Sequence, residues 1–317
     1  MSREDHGFVI FPPIRQDRIL GRLHRTKRGV VSFSHPEMQQ AIPSRTALRV
    51  ALRRAAHQIY DTPIVFEDPI AIPILGETYA EELRRTPTRA DRRFSIAMRA
   101  HLVARSRYAE DNLGRAVAAG VHQYVLLGAG LDTFAYRNPW PHLQVFEVDH
   151  PASQRWKREL LRNSRIAVPD DLTYVAVDFE CQSLAVELQQ AGLNFQVPTF
   201  FAWLGVVPYL TLPAFRATIA FVGSQPAGSG IVLDYGQPRS ALPTFEQLAR
   251  DSLASRVQLA GEPFQLFFTP EEIASEFTAY RSLEDIGKEE INARYFAGRS
   301  DELKILGSAG RLLSAWR

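Results

Sequence analysis

The sequence predicts a doubly wound α/β fold with a mostly parallel sheet, and three observations support this prediction. From Val121 onward, short apolar runs alternate with segments that have helical spacing. The runs are nearly continuous in apolar residues, as strands covered on both faces require. A glycine turn at 128–130 follows the first run, and Asp149 ends the second. This order of elements is typical of a sheet that binds a ligand at the carboxyl ends of its strands.

Composition and charge narrow the class of protein. The chain has 317 residues, is 45% hydrophobic and 23% charged, and carries a net charge of +2. A net charge this small attracts anionic partners only weakly, so neither nucleic acid nor a membrane surface is expected as a partner. Cys181 is the single cysteine, which excludes an internal disulfide and fits a reducing compartment. With no apolar run of spanning length and no apolar leader, a cytoplasmic location is expected.

Two regions are expected along the chain. Residues 1–42 form a basic N-terminal arm, which is either a solvated segment or a lid over a ligand. Residues 43–317 form the main domain, with a helical cap over 43–120 and an α/β core with C-terminal additions over 121–317. In the cap, Ser44 is a helix N-cap, and a second helix runs from Phe94 to Ala119 before Gly120.

The elements of the core follow from the pattern of apolar residues and turn residues. Strands are predicted near 122–128, 143–148, 172–177, 198–203 and 229–234. Helices are predicted near 132–137, 151–165, 182–191, 212–223, 243–257 and 270–278. Residues 282–286 and 304–306 are expected to add edge strands.

The glycine turn and Asp149 predict a nucleotide-shaped pocket. Gly128 and Gly130 allow close approach of a ligand to the backbone, and Asp149 lies about 20 positions further on, where an acid binds ribose hydroxyls. A dinucleotide site would need a third glycine, but that position is Thr133. Asp132 would repel a phosphate and attract a cation, unless it serves as a helix cap. A phosphate-free cation with ribose hydroxyls, such as S-adenosylmethionine, fits this turn better than NAD.

The end of the third predicted strand offers an acid beside an aromatic ring. Asp178 could accept a hydrogen bond from an adenine amino group, and Phe179 could cover the ring face. Asp178 could equally cap the helix that follows.

Several motifs together resemble the leucine carboxyl methyltransferase family, in particular its bacterial S-adenosylmethionine-dependent branch. The resemblance covers residues from about 44 to 315. The motifs that carry it are Ser44-Arg45-Thr46-Ala47-Leu48, Asp68-Pro69, the segment 105–111 (RSRYAED), the segment 127–133 (LGAGLDT), the segment 146–151 (FEVDHP), Val177-Asp178-Phe179 and Tyr209-Leu210-Thr211.

This resemblance implies a Rossmann-type, class I methyltransferase sheet with a helical cap and S-adenosylmethionine as the cofactor. It implies cofactor contacts for Gly128 and Gly130 at the turn, Asp149 at the ribose, and Asp178 with Phe179 at the adenine. It also implies that Arg105 binds the carboxylate of the cofactor.

One position departs from the family pattern. Where the family usually has Glu-Gly-Val after the fourth strand, this chain has Leu204-Gly205-Val206. Leu204 thus occupies a cofactor-binding position but accepts no hydrogen bond. Losing such a bond to a charged group costs about 1.5–3 kcal/mol. Glu147 and Asp234 are the candidate replacements for the missing acid.

The expected chemistry is in-line methyl transfer to a carboxylate or hydroxyl of a small molecule or peptide. A carboxylate acceptor needs no general base, and Tyr209, after the fourth strand, could orient an acceptor oxygen or be a half-buried aromatic residue. The scattered histidines predict no metal site.

Two alternative functions remain open at this stage. One is a catalytically impaired methyltransferase-like binding protein, which the leucine at 204 favours. The other is a nicotinamide-dependent oxidoreductase, against which Asp132 and Thr133 argue.

Overall fold

Seven strands form one sheet in the computed structural model, which describes residues 45–85, 93–178, 182–258 and 263–317. The basic arm predicted over 1–42 and Phe179 therefore lie outside the described residues. The strands are β1 (Gln123–Leu127), β2 (Gln144–Asp149), β3 (Leu172–Ala176), β4 (Thr199–Trp203), β5 (Gly230–Gly236), β6 (Ser282–Ile286) and β7 (Gly310–Trp316).

The strand order is β3-β2-β1-β4-β5-β7-β6. Neighbours among β1 to β5 pair in parallel, whereas β7 runs antiparallel to both β5 and β6. The predicted doubly wound, mostly parallel sheet is confirmed. The chain builds outward from β1 to β3 and then returns to place β4 on the other side of β1. The strand order reverses between β1 and β4, which is where open α/β sheets bind their ligands.

Helices flank the strands along the chain. They are α1 (Arg45–Tyr60), α2 (Glu77–Arg85), α3 (Arg93–Ala118), α4 (Pro151–Asn163), α5 (Leu184–Gln190), α6 (Leu212–Gly223), α7 (Thr244–Gln258), α8 (Pro270–Glu276) and α9 (Lys288–Tyr295). Helix α6 has its predicted bounds, and the other predicted α-helices of the core differ by a few residues at their ends. Thr211 caps α6, since its hydroxyl accepts from the Ala214 N–H, and a capping box begins α8 at Thr269.

Alternate residues of each strand enter two separate cores, as the strand period of two requires. Tyr124, Leu126 and Phe200 pack with α3 on one face of the sheet. Val125 and Phe201 pack with α5, α6 and α8 on the other face. Because both faces are covered, the five parallel strands are mostly apolar, and this pattern makes them predictable from the sequence.

A third, smaller core fixes α1 beside the turn that follows β1. Ala51 and Ala55 of α1 pack with Leu131 and with Leu161 of α4. Arg54 lies on the same side of α1, where one Nη donates to the carbonyl oxygen of Leu131 at 3.0 Å and forms an ion pair with Asp68 at 3.1 Å. This buried arginine ties α1 directly to the turn.

Two predicted elements differ from the structure. Residues 304–306 are not a strand, because the backbone groups of Ile305 bind a side chain instead of a neighbouring strand. The Asn292 side chain accepts a hydrogen bond from the Ile305 N–H and donates one to the Ile305 carbonyl oxygen. The alternation of buried Leu303 and Ile305 with exposed neighbours resembled a strand, but the last strand is β7. The helix predicted near 132–137 is a four-residue 3₁₀ helix over Phe134–Arg137.

Replacing Arg54 tests how much its contacts with Asp68 and Leu131 stabilise the fold. Arg54→Met should lower the free energy of unfolding by about 3 kcal/mol, because it removes the nearer cation of buried Asp68, which keeps Arg137 at 3.5 Å, and the ion-pair partner of Asp132. Arg49→Met, at an exposed position of the same helix, should change it by less than about 0.5 kcal/mol. Urea denaturation of both variants measures the difference. Equal effects would show that the Arg54 ion pair contributes little.

Candidate functional site

The carboxyl ends of the five parallel strands bring most of the predicted site residues to one edge of the sheet. Backbone bonds connect these ends: Gly128 N–H donates to the Val148 carbonyl oxygen at 2.8 Å, and Val177 N–H donates to the Asp149 carbonyl oxygen at 2.9 Å. The segments after β3, β2 and β1 therefore lie side by side. The segment after β4 joins them through Val206, which lies against Gly128.

The turn after β1 requires glycine at two positions. Gly128 has φ +68° and Gly130 has φ +50°, in the left-handed region that favours glycine. A Cβ on Gly128 would lie 2.4 Å from Cγ2 of Val206, so there is no room for a side chain at this position of the turn. At Gly130 a Cβ would lie 3.4 Å from Cβ of Ala47, which places the first turn of α1 beside the glycine turn.

Asp149 holds the turn from the side of β2. One carboxylate oxygen accepts the Gly130 N–H at 2.5 Å, and the other accepts the His150 N–H at 2.6 Å. The side chain of Ser153 donates a third hydrogen bond, so about one of the roughly four lone-pair sites of this carboxylate remains for a ligand. Burial raises the pKa of Asp149, and these hydrogen bonds together with the charge of Lys157 offset only part of that effect. The carboxylate is thus fixed in place with capacity for a further donor.

Asp132 has protein partners at the turn. Its Oδ1 accepts the Phe134 N–H at 2.8 Å, so it caps the 3₁₀ helix, and its Oδ2 lies 3.5 Å from Nη1 of Arg54. Burial by itself would raise the pKa of Asp132, but the nearby cations, Arg54 first among them, hold it below its usual value. Asp132 is therefore a charged cap that faces Arg54.

Glu147, one of the two candidate replacements for the missing acid, lies inside β2. It forms an ion pair with Lys157 of α4 at 2.7 Å, and both side chains are about 1% exposed. Burial raises the pKa of Glu147 to about 7, against the opposing effect of Lys157. This pair joins α4 to the sheet beneath the site.

Asp234, the other candidate, lies near the end of β5 and meets Arg105. Nη1 of Arg105 lies 3.0 Å from Oδ2 of Asp234, and Oδ1 of Asp234 accepts the Gly205 N–H. A Cβ on Gly205, which has φ +71°, would lie 2.9 Å from Nη1 of Arg105. Because residue 205 is glycine, the guanidinium of Arg105 has room to lie at the end of β4.

His101 joins the same group from one helical turn before Arg105. Its Nε2 lies 4.0 Å from Oδ2 of Asp234, and its ring packs on Gly310 at the start of β7. Burial lowers the pKa of His101 to about 4, and Arg105 adds to this effect while Asp234 opposes it. The ring is consequently uncharged at neutral pH.

The remaining predicted residues lie around this edge. Half-buried Asp178 follows β3, and its backbone N–H donates to Oε1 of Gln182. Leu204 is half-buried and packs on the core on the α3 face of the sheet. Tyr209 ends a short 3₁₀ helix after β4, with its ring centroid 5.3 Å from that of Phe264.

Two further residues of the site, Arg54 and His101, can be recognised from their positions in the sequence. Arg54 follows Ala51 by three positions and precedes Ala55, so it is a charged residue within the apolar stripe of α1. His101 lies four positions before Arg105, which places both on one side of α3. Val206 cannot be recognised from the sequence, because its role depends only on its contact with Gly128.

The described residues contain neither a cluster of metal-ligating side chains nor a membrane-spanning helix. Across the described ranges, no group of three or more histidine, cysteine, aspartate or glutamate side chains could hold a metal ion. In the same parts of the chain, every helix is too short or too polar to cross a membrane.

Comparison with known proteins gives matches to one family. Residues 47–223 match the model of the family described as leucine carboxyl methyltransferase. The Bacillus subtilis protein named "Putative S-adenosyl-L-methionine-dependent methyltransferase YktD" is 32% identical over 291 residues, covering 84% of this chain and 95% of that protein. A Streptomyces coelicolor protein of the same description, SCO7813, is 34% identical over 195 residues, covering 60% and 68% of the two chains.

Solved structures share the fold. A duf574 family protein from Streptomyces avermitilis has a TM-score of 0.53 at 19% identity, over 84% of this chain and 96% of that one. A Thermobifida fusca protein described as a "putative methyltransferase" has a TM-score of 0.52 at 18% identity, over 82% and 99% of the two chains. At these identities the likeness concerns the fold alone.

The contact between Gly128 and Val206 can be tested with a matched glycine. Gly128→Ala and Gly120→Ala should each lose about 1–2 kcal/mol of stability from a left-handed backbone. Only Gly128→Ala should lose about 1–3 kcal/mol more, because its Cβ meets Val206, whereas nothing lies within 4 Å of a Cβ on Gly120. Chemical denaturation of both variants gives the two values.

A second substitution isolates the steric part of this effect. Adding Val206→Ala to Gly128→Ala should recover the extra loss in a double-mutant cycle. If the two glycine variants lose equal stability, or if the cycle shows no coupling, the close approach of Val206 to the turn does not constrain it.

Proposed function

The chain belongs to the leucine carboxyl methyltransferase family and is an S-adenosylmethionine-dependent methyltransferase, and from this premise we propose that it methylates an oxygen atom of its acceptor. The acceptor is a carboxylate or hydroxyl of a small molecule or peptide, with the carboxylate favoured. The observation that carries the proposal is the match over 47–223 to a family described by carboxyl methylation.

The geometry of the turn supports the cofactor over a dinucleotide. A pyrophosphate needs the N-terminus of a helix after the glycine turn, but here the turn leads only into a four-residue 3₁₀ helix. Asp132 adds a negative charge at the start of that helix. This arrangement disfavours the nicotinamide-dependent oxidoreductase.

The described residues suit an adenosyl cofactor without phosphate. Asp149 would accept a hydrogen bond from the ribose hydroxyls, while Gly128 and Gly130 would allow close approach to the backbone. Asp178 would lie on the adenine side, and Arg105 would take the carboxylate. S-adenosylmethionine supplies a methyl group on a sulfonium, which makes it electrophilic.

The protein's part in the transfer is alignment and exclusion of water. The donor and acceptor must lie in line, and a closed, desolvated crevice strengthens that alignment. We assign the orientation of the acceptor oxygen to Tyr209, which follows β4. His101, whose pKa burial lowers to about 4, is too weak a base to deprotonate an alcohol efficiently. A carboxylate arrives already ionised, and so it is the acceptor that this site would serve best.

The partner and location follow from the same reasoning. We propose a small-molecule or peptide carboxylate as the acceptor rather than nucleic acid or a membrane surface, because the net charge is only +2. The single cysteine is consistent with our further proposal of a cytoplasmic location.

Replacing Asp149 should weaken cofactor binding. Asp149→Ala removes the carboxylate that the ribose hydroxyls bind, and the Kd for S-adenosylhomocysteine should rise about 100-fold. Asp251→Ala, an exposed acid on α7, should leave the Kd unchanged. Calorimetry measures both, with thermal unfolding to confirm that each variant folds. An unchanged Kd in Asp149→Ala would remove this residue from the cofactor site.

The chemistry of the product tests the proposed acceptor. The enzyme is incubated with S-[methyl-³H]adenosylmethionine and short peptides or small acids with free carboxylates, beside the matched amides and alcohols. A methyl ester releases volatile methanol in mild base, whereas a methyl ether does not. We expect base-labile label on the free carboxylates only. Base-stable label on alcohols would favour hydroxyl transfer.

A second candidate function has one observation in its favour. Leu204 stands where the resembling family has a glutamate, which suits a methyltransferase-like binding protein without turnover. Tight binding of S-adenosylhomocysteine with no labelled product across the whole acceptor panel would support this second function over the first.

A further inference from the structure

Asp234, on the neighbouring strand β5, lies close to the position of the acid that is missing at Leu204. In the parallel pair of β4 and β5, Trp203 lies opposite Leu233, so the next positions along the two strands are Leu204 and Asp234. Leu204 packs on the α3 face of the sheet, and Asp234 reaches Arg105 of α3 on that same face. Strands of a sheet lie about 4.8 Å apart, so the two side chains project from nearly the same place.

Asp234 is held firmly yet keeps capacity for another donor. The residue is 7% exposed, with one oxygen bound by the Gly205 N–H and the other by Nη1 of Arg105. These bonds use two of its roughly four lone-pair sites. His101, 4.0 Å away, is uncharged at neutral pH and does not neutralise the carboxylate.

Arg105 also has an unused donor. The residue is 9% exposed, and its Nε has no hydrogen-bond partner among the described residues. A buried guanidinium with a free N–H beside a buried carboxylate with free lone pairs presents both charges to one ligand. An α-amino acid zwitterion, which has a carboxylate and an ammonium on one carbon, complements this pair.

The order of the strands sets the direction in which a ligand would lie. Asp149 ends β2 and Asp234 lies near the end of β5, with β1 and β4 between them. Three strand spacings separate them, roughly 14 Å. A ligand with its ribose at Asp149 would pass the glycine turn and Gly205 before its far end reached Asp234.

We propose that Asp234 binds the α-ammonium group of the methionyl part of S-adenosylmethionine, in place of the acid that Leu204 lacks. Arg105 binds the α-carboxylate of the same methionyl part. Asp234 lies outside the residues 47–223 that match the family model, so the match assigns it no role. The inference rests on use of the cofactor and is independent of which acceptor is methylated.

Two ligands that differ only in the amino-acid part test this assignment. S-adenosylhomocysteine carries the zwitterion, whereas 5′-methylthioadenosine has the same adenosyl sulfur and no amino acid. In Asp234→Asn, the Kd for S-adenosylhomocysteine should rise about 10- to 100-fold. The Kd for 5′-methylthioadenosine should stay within about twofold, because no charge of that ligand reaches position 234. A merely structural role of Asp234 would weaken both ligands alike.

Two further variants sharpen the test. Asp285→Asn breaks a comparable acid–arginine pair, with Arg311 at 3.0 Å, and should bind both ligands as the unaltered protein does. Leu204→Glu in the Asp234→Asn background returns a carboxylate to the same face and should recover most of the lost affinity for S-adenosylhomocysteine.

The unaltered protein gives a test that does not depend on a variant that folds. An analogue of S-adenosylhomocysteine that lacks only the amino group should bind about 10- to 100-fold more weakly. The proposal is overturned if this analogue binds as tightly as S-adenosylhomocysteine. It is also overturned if Asp234→Asn weakens both ligands equally or leaves both unchanged.

Discussion

The left-handed backbone of Gly128 and Gly130 is the constraint on which the rest of the site depends. It turns the chain sharply at the end of β1 and lets Val206 lie against the turn from the side of β4. The turn is held from two directions, by the carboxylate of Asp149 at the end of β2 and by Arg54 of α1. A side chain at 128 would separate β1 from the segment after β4, which is where the sheet opens to a ligand.

Buried charges around the turn fall into two groups with different roles. Glu147 with Lys157, and Arg54 with Asp68, pair within the protein and join helices to the sheet. Buried pairs of this kind cost desolvation and add little net stability, so their main effect is to fix positions. Asp149 and the Arg105–Asp234 pair are also fixed, but they lie at the carboxyl ends of β2 and β5. Unpartnered polar atoms occur in both groups, on Glu147 and Arg54 as well as on Arg105, so position at the strand ends is what distinguishes the residues that can hold a ligand.

The first five strands were predicted closely because each is covered on both faces and is therefore mostly apolar. The glycine turn and Asp149 were predictable for a similar reason, since a positive φ and a strand-end acid are local features. The prediction failed at 304–306, where the side chain of Asn292 takes the backbone groups that a strand partner would otherwise use. It did not include β7, although that strand pairs with both β5 and β6.

The α/β class, the order of the five parallel strands with the helices between them, and the turn with its acid follow from the sequence, because they depend on the period of the apolar residues and on the preferences of single residues. Which charges meet depends on the tertiary fold. Arg105 and Asp234 are 129 residues apart, and the sequence makes Glu147 a candidate for the site although Lys157 pairs with it in the fold. Local patterns contain no information about such pairs, since the contacts form only when α3 and α4 pack on the finished sheet.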